Sequence, residues 1–282
     1  MQVYSIPAEI FNETQRLRFQ EKSIGLVPTM GALHEGHFHL VKQARKENDI
    51  LVVSIFVNPL QFNNQEDLDN YPRTLEEDLF QLEKLGVDLV FTPTVESMYP
   101  DKPQVSIDFG KMERVMEGEF RPGHFSGVGV VVTKLFNLCC PTRAYFGKKD
   151  MQQYLLVKRM VEDLSQPVEI IGVPIVREKS GLAMSSRNQR LSTHGLEIAS
   201  VIHEGLSIAK QEWDNSKSPE ETKITVNAFY KQQEGLSIEY INIVSPHNLE
   251  DLKENLNQPA VICVAGFVEG VRLIDNLYLR QE

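Results

Sequence analysis

The chain has 282 residues, of which 41% are hydrophobic and 24% charged, and 29 Lys and Arg stand against 39 Asp and Glu for a formal net charge of −10. That length supports a large core in one long domain or two ordinary ones. The acidic balance, without a Lys/Arg run, argues against general nucleic-acid binding and leaves room only for a local basic pocket that takes a small anion. Cys139, Cys140 and Cys263 fit neither a disulfide framework nor a zinc spacing, so reduced thiols in a cytoplasmic protein are expected. The N-terminus "MQVYSIPAEIFNETQRLRFQ" has no signal-peptide apolar run, and the longest apolar stretch, "ILVVSIFV", is too short to span a bilayer.

In chain order, "SIGLVPT", "ILVVSIFV", "VDLVFTP" and "VEIIGVP" are apolar throughout and rich in β-branched residues, which predicts buried parallel strands. Between them "HLVKQARKEN", "TLEEDLFQLEKLG" and "KDMQQYLLVKRMVEDL" carry helical spacing, the second closed by Gly86. Alternation of this kind predicts an α/β fold with a doubly wound parallel sheet over residues 1–175. From about residue 176 the pattern changes. "THGLEIASVIHEGLSIAKQEW" and "PEETKITVNAFYKQQEG" predict helices, and "LSIEYINIV", "AVICVAGFV" and "VRLIDNLYL" predict a small antiparallel sheet. Residues 176–282 are therefore expected to form a second, smaller α+β domain. The joint near "VPIVREKSGLAMSSRN" is polar, and Gly181 within it suggests mobility.

The stretch "LVPTMGALHEGHFHLV" places His34, His37 and His39 where a parallel strand hands the chain to a helix N-terminus. In open α/β sheets ligands bind at this edge, and the backbone N–H groups and helix dipole there favour an anion. His34 and His37 can share a face, with Gly36 between them leaving space, and imidazole N–H groups can donate to phosphate. Metal ligation is the rival reading, but His39 faces away and no CxxC or HExxH accompanies the cluster. For the stretch taken alone, solvated histidines at a helix start remain open.

Neither GxxxxGK[ST] nor a GxGxxG after a strand is present, so a nucleotide would need another cradle. Two segments offer one. "AYFGKKDMQQY" puts Gly147, Lys148, Lys149 and Asp150 at a second strand-to-helix junction, and "GLAMSSRNQRL" holds Met184, Ser185, Ser186 and Arg187 in the joint. Lysine, serine and arginine are the donors a triphosphate needs, although surface lysines and a capped loop would look the same one at a time.

"HEGH" resembles the HxGH signature of the nucleotidyltransferases related to class I aminoacyl-tRNA synthetases, and "MSSR" is similar to their KMSKS-type loop. The longer strings "PTMGALHEGH", "SIFVNPLQF", "EGEFRPGHFSGV", "KLFNLCCPTRAYFGKKDMQQ" and "AMSSRN" resemble the pantoate–β-alanine ligase family, in register from about residue 23 to 190. The resemblance implies a Rossmann-like sheet of the HxGH nucleotidyltransferase type with a C-terminal lid domain. It also implies ATP-dependent joining of (R)-pantoate to β-alanine through a pantoyl-adenylate, giving pantothenate, AMP and pyrophosphate.

Carried over by position, Met30, Gly31, Ala32, Leu33, His34, Glu35, Gly36 and His37 would contact ATP, together with Gly147, Lys148, Lys149, Asp150, Val176, Met184, Ser185, Ser186 and Arg187. His34, His37, Lys149 and Arg187 would act on the phosphates, with His37 at the family's proton-donor position. Gln61 and Gln153 would hold pantoate, and Gln61 would also meet β-alanine. Asp78 and Gln81 would approach Mg²⁺ brought with ATP, no tightly bound organic cofactor is implied, and the family is typically a homodimer with neither nucleic-acid nor membrane partners.

Two positions depart from the pattern. Ala183 stands where the first lysine of the KMSKS pattern would be, and "GVGVVVTKL" has valines where a threonine is usual. The alternatives are a nucleotidyltransferase of the same superfamily that releases a nucleotidylated product, and a non-enzymatic nucleotide sensor with this fold.

Overall fold

The computed structural model describes residues 1–256 and 258–280. Its elements in chain order are β1 (Gln2–Tyr4), α1 (Pro7–Phe19), β2 (Ile24–Thr29), α2 (Glu35–Glu47), β3 (Ile50–Ile55), α3 (Gln65–Asp69), α4 (Leu75–Lys84), β4 (Leu89–Phe91), α5 (Val95–Met98), α6 (Glu117–Phe120) and α7 (His124–Cys139). There follow β5 (Arg143–Gly147), α8 (Met151–Asp163), β6 (Glu169–Val173), α9 (Thr193–Asp214), α10 (Pro219–Tyr230), β7 (Leu236–Val244), β8 (Ala260–Val268) and β9 (Val271–Arg280). The chain divides into two compact units, Met1–Lys148 with Leu156–Pro174, and Lys149–Leu155 with Ile175–Glu282.

The first unit is built on a six-stranded sheet in the order β1-β4-β3-β2-β5-β6. All its pairings are parallel. The four apolar runs are there as β2, β3, β4 and β6, of which β2, β3 and β4 are buried as expected while β6 lies at the sheet edge with only Val173 buried. In β2, β3 and β4 the side chains of Leu26, Val27, Leu51, Val52, Val53 and Val90 are fully buried. Gly86 ends α4 at φ +73°, a left-handed cap that a Cβ would disfavour. Strand β1 is three residues long and half exposed, too short to leave an apolar run in the sequence. Helix α7 is buried at ten of its sixteen residues, with Ser126, Thr133, Lys134 and Asn137 on its less buried side.

Strand order reverses between β2 and β5, because the chain runs from β2 to β3 and β4 on one side and from β5 to β6 on the other. At this point the β2–β5 ladder contains only Gly25 with Arg143 and Leu26 with Ala144. Both strands continue, to Thr29 and Gly147, and Pro28 in that stretch has no N–H to donate. The two strands therefore part at their carboxyl ends, which is the crevice where open α/β sheets bind ligands.

The second unit carries α9 and α10 and the antiparallel sheet β7-β8-β9. Its core holds Ala199, Ile202 and Leu206 of α9, Val226 and Tyr230 of α10, and Ile243, Ile262, Val264 and Leu273 of the sheet. Strands β8 and β9 join through Glu269 and Gly270 at φ +50° and +76°, the paired left-handed residues of a tight hairpin. Among the described residues no helix is long and apolar enough to cross a membrane.

Candidate active site

The segment leaving β2 makes a turn in which the Gly31, Ala32 and Leu33 backbone donors are used internally. Gly31 sits at φ +82° and Ala32 at φ +49°. A Cβ on Gly31 would be strained by that φ and would come 3.1 Å from both Asp78 Oδ2 and Ile55 Cγ2, a tight approach that glycine avoids. The Gly31 N–H donates to Thr29 Oγ1 at 3.2 Å. The Ala32 and Leu33 N–H groups donate to the two carboxylate oxygens of Asp78 at 2.9 and 2.8 Å. Asp78 is 2% exposed and also accepts from Thr74 Oγ1 at 3.2 Å. A buried charge with three donors is well matched, and here it clamps the turn.

Helix α2 begins with a reciprocal cap made by the two histidines. His34 Nδ1 accepts from the Gly36 N–H at 3.1 Å, and His37 Nδ1 accepts from the His34 N–H at 3.4 Å. The rings lie with centroids 4.1 Å apart and planes at 47°. This arrangement is the capping-box geometry with imidazole in both roles. A neutral imidazole that accepts at Nδ1 carries its proton on Nε2. Each ring is therefore fixed as an Nε2–H donor, on the helix that starts at the switch-point crevice. His39 is exposed. From the sequence, the backbone N–H groups at this helix start are expected to offer themselves to an anion. Those of Gly31 to His34 and of Gly36 instead meet acceptors within the protein, which shifts that task towards side chains.

Gln61 ends the 3₁₀ turn Pro59–Gln61 and is buried. Its Nε2 lies 3.2 Å from Met30 Sδ, and its Oε1 accepts from Asn58 Nδ2 at 3.2 Å. The structure thus brings Gln61 and Met30 together across 31 positions of sequence. Residues that sequence reasoning did not single out hold this turn. Tyr99 Oη donates to Asn58 Oδ1 at 3.0 Å, Asn58 Nδ2 reaches Gly127 O at 3.2 Å, and His124 Nδ1–H donates to Gln61 O at 2.8 Å. Burial raises the Tyr99 phenol well above its usual range, so it stays a donor. A Cβ on Gly127 would lie 2.3 Å from Leu60 O, so α7 approaches this turn as closely as only glycine allows. Asn58 and His124 lie inside "SIFVNPLQF" and "EGEFRPGHFSGV", where the strings themselves were the only available signal.

Gly147 ends β5 on the other side of the crevice from Thr29, and Lys148 opens the 3₁₀ turn that follows. A Cβ on Gly147 would meet no protein atom within 4 Å. In the second unit, Lys149 Nζ lies 3.2 Å from the Asp150 carboxylate. Val176 and Met184 are joined directly, Met184 N–H donating to Val176 O at 3.0 Å across a hairpin that also pairs Arg177 with Ala183. Ser185 then caps the 3₁₀ turn Ser186–Arg190, its Oγ accepting from the Arg187 N–H at 3.3 Å. Ser186 is buried and Arg187 half-buried, and Gln153 is half-buried in the first turn of α8.

Asp78 and Gln81 do not fit a protein-built Mg²⁺ site. Both Asp78 oxygens hold the turn, and among the described residues no group of three His, Cys, Asp or Glu could hold a metal ion.

A family model described as pantoate-beta-alanine ligase matches residues 2–278. The chain belongs to the pantoate–β-alanine ligase family. The pantothenate synthetase of Cytophaga hutchinsonii is 46% identical over 265 residues, which cover 91% of this ligase and 92% of that protein. The crystal structure of pantothenate synthetase from Thermus thermophilus superposes with a TM-score of 0.93 at 43% identity, covering 100% of both chains. The pantoate-beta-alanine ligase of Francisella tularensis, solved in complex with beta-gamma ATP and beta-alanine, matches with a TM-score of 0.83 at 37% identity, over 100% of this ligase and 99% of that chain. The chain is an ATP-using ligase of pantothenate biosynthesis.

Proposed function

We propose that this ligase condenses (R)-pantoate with β-alanine in two steps, activating the pantoate carboxylate as a pantoyl-adenylate before the amide forms. The observation that carries the reading is the histidine cap, which fixes two Nε2–H donors on the helix entered from the switch-point crevice. In the first step the pantoate carboxylate attacks the α-phosphorus of ATP, an O–P bond forms, and the bond to pyrophosphate breaks. A carboxylate is ionised at pH 7, with an ordinary pKa of about 4, so this step needs no base. It needs alignment and cancellation of phosphate charge. In the second step the β-alanine amine attacks the acyl carbon, the acyl C–O bond to the AMP phosphate breaks, AMP leaves, and the nitrogen gives up a proton to solvent as the amide forms.

Residue by residue, we assign Met30 to His37, Gly147 to Asp150, Val176 and Met184 to Arg187 to ATP. His34, His37, Lys149 and Arg187 stabilise charge that grows on the phosphates, with His37 as a proton donor to the leaving pyrophosphate. Gln61 and Gln153 hold pantoate with neutral amides, and Gln61 also meets β-alanine. The open space beside Gly147 supports close approach of a nucleotide there. Mg²⁺ belongs to this reading as an ion carried on the ATP phosphates, where it neutralises their charge. Three cysteines held as thiols, Cys139, Cys140 and Cys263, support a cytoplasmic location, and the family resemblance supports a homodimer.

Incubating the protein with ATP, Mg²⁺, pantoate and β-alanine should give AMP, pyrophosphate and pantothenate in equal amounts, with AMP formation failing when pantoate is omitted. A nucleotidylated compound accumulating as the end product, at a rate indifferent to β-alanine, would overturn the assignment in favour of a nucleotidyltransferase.

A further inference from the structure

Lys149 has no strand or long helix of its own to fix it, since it lies in the short 3₁₀ turn Lys148–Asp150 between β5 and α8. Its backbone is tied to β9. Asn276 Nδ2 donates to Lys149 O at 2.9 Å across 127 positions of sequence. Asn276 is 3% exposed, and its own position is set by an ion pair beside it. Asp275, 5% exposed, receives both terminal nitrogens of Arg177, at 2.6 and 2.9 Å, and its Oδ1 accepts the Asn276 N–H at 2.8 Å. Arg177 also donates to Asn276 O and to Gly181 O, both at 3.1 Å. A bidentate guanidinium–carboxylate pair is rigid in plane and direction. The same guanidinium thus grips the hairpin that leads into Ser185–Arg187 and the residue that holds Lys149.

We propose that Asn276, locked by the Arg177–Asp275 pair, is a positioning residue for Lys149, and that this buried group sets the Lys149 segment and the 176–187 hairpin as one unit for adenylate formation. The proposal rests on the assignment of Lys149 to ATP. Asn276 touches no substrate in it. The amide acts through the Lys149 carbonyl, and removing its donor lets the segment shift while the lysine is still present. Displacements of about 1 Å far from the chemistry can cost up to roughly 10²-fold in rate.

The test is a double-mutant cycle read by pantoate-dependent exchange of labelled pyrophosphate into ATP. Asn276→Asp replaces the donor by an acceptor without a change of shape, and Asn276→Ala removes the group. Each should slow exchange by about tenfold or more in the wild-type background. In the Lys149→Ala background, which is already slow, each should change the rate by less than about twofold, because the group it positions is gone. Equal losses in both backgrounds would make Asn276 a general structural residue and overturn the proposal, as would wild-type exchange in Asn276→Asp. Wild-type exchange in Lys149→Ala alone would instead overturn the assignment of Lys149 to ATP, and the proposal with it. That outcome is distinguishable because it appears in the single lysine variant.

Discussion

His34→Asn should keep a wild-type melting temperature and still lose roughly 10² to 10³ in turnover. Asparagine is among the best N-cap residues, so its Oδ1 can take over the bond that His34 Nδ1 accepts from Gly36. It has nothing in the place of Nε2–H. If that donor meets phosphate charge that grows in the transition state, its loss costs about 2.7–4 kcal/mol of activation free energy. His34→Ala should lose the same rate and also about 1 kcal/mol of stability, because the cap goes too. At the third helical position His37→Gln is the matching variant, since glutamine is the usual partner in a capping box. His39→Ala should be nearly silent, its ring being exposed. Calorimetry beside steady-state kinetics separates the two roles. Normal turnover in His34→Asn and His37→Gln would reduce both rings to caps.

The second large effect belongs to Asp78. Asp78→Ala leaves the Ala32 and Leu33 N–H groups in a buried turn without their acceptor. At about 1–3 kcal/mol for each of the two stranded donors, the protein should lose roughly 2–6 kcal/mol of stability. Activity should fall with it, because Gly31 to Leu33 lead directly into His34. Asp78→Asn should fall between the two, since an amide can accept at one oxygen and turns a donor toward the other N–H. If Asp78 served mainly to meet Mg²⁺, the variants would melt normally and extra Mg²⁺ would restore their rate. Melting curves and a Mg²⁺ titration of kcat decide between these roles, and the clamp predicts a lowered melting temperature with no rescue.

Strands β2, β3, β4, β6, β7, β8 and β9 were legible from their apolar runs, and helices α2, α4, α8, α9 and α10 from their spacing, whereas β1 and α1 were not read. β7 and β8 occupy the very residues of "LSIEYINIV" and "AVICVAGFV". Helix α7 was not read, since its glycines and valines carry weak helix propensity, and Gly127 is explained only by the carbonyl of Leu60 that approaches it. The candidate site was legible as strings, while its internal wiring was not. Histidine is not an N-cap residue one looks for, so the ring pair of α2 read as phosphate donors, metal ligands or solvated side chains, never as a capping box.

Asp78 was set near Mg²⁺ only through the family resemblance. Its actual partners lie 45 and 46 positions upstream, beyond the reach of any local pattern. Gly181 read as a source of mobility. The structure gives it a static reason as well: φ is +91°, and a Cβ would come within 2.5 Å of His203 Cδ2. The Arg177–Asp275 pair spans 98 positions and could be found only once the fold had brought β9 to the hairpin.

The central claim is that pantoate is activated before β-alanine takes part, and pyrophosphate exchange tests it most directly. With ATP, Mg²⁺ and pantoate, and with β-alanine left out, labelled pyrophosphate should appear in ATP at a rate that depends on pantoate. Exchange that begins only when β-alanine is added would contradict a pantoyl-adenylate formed ahead of the amide.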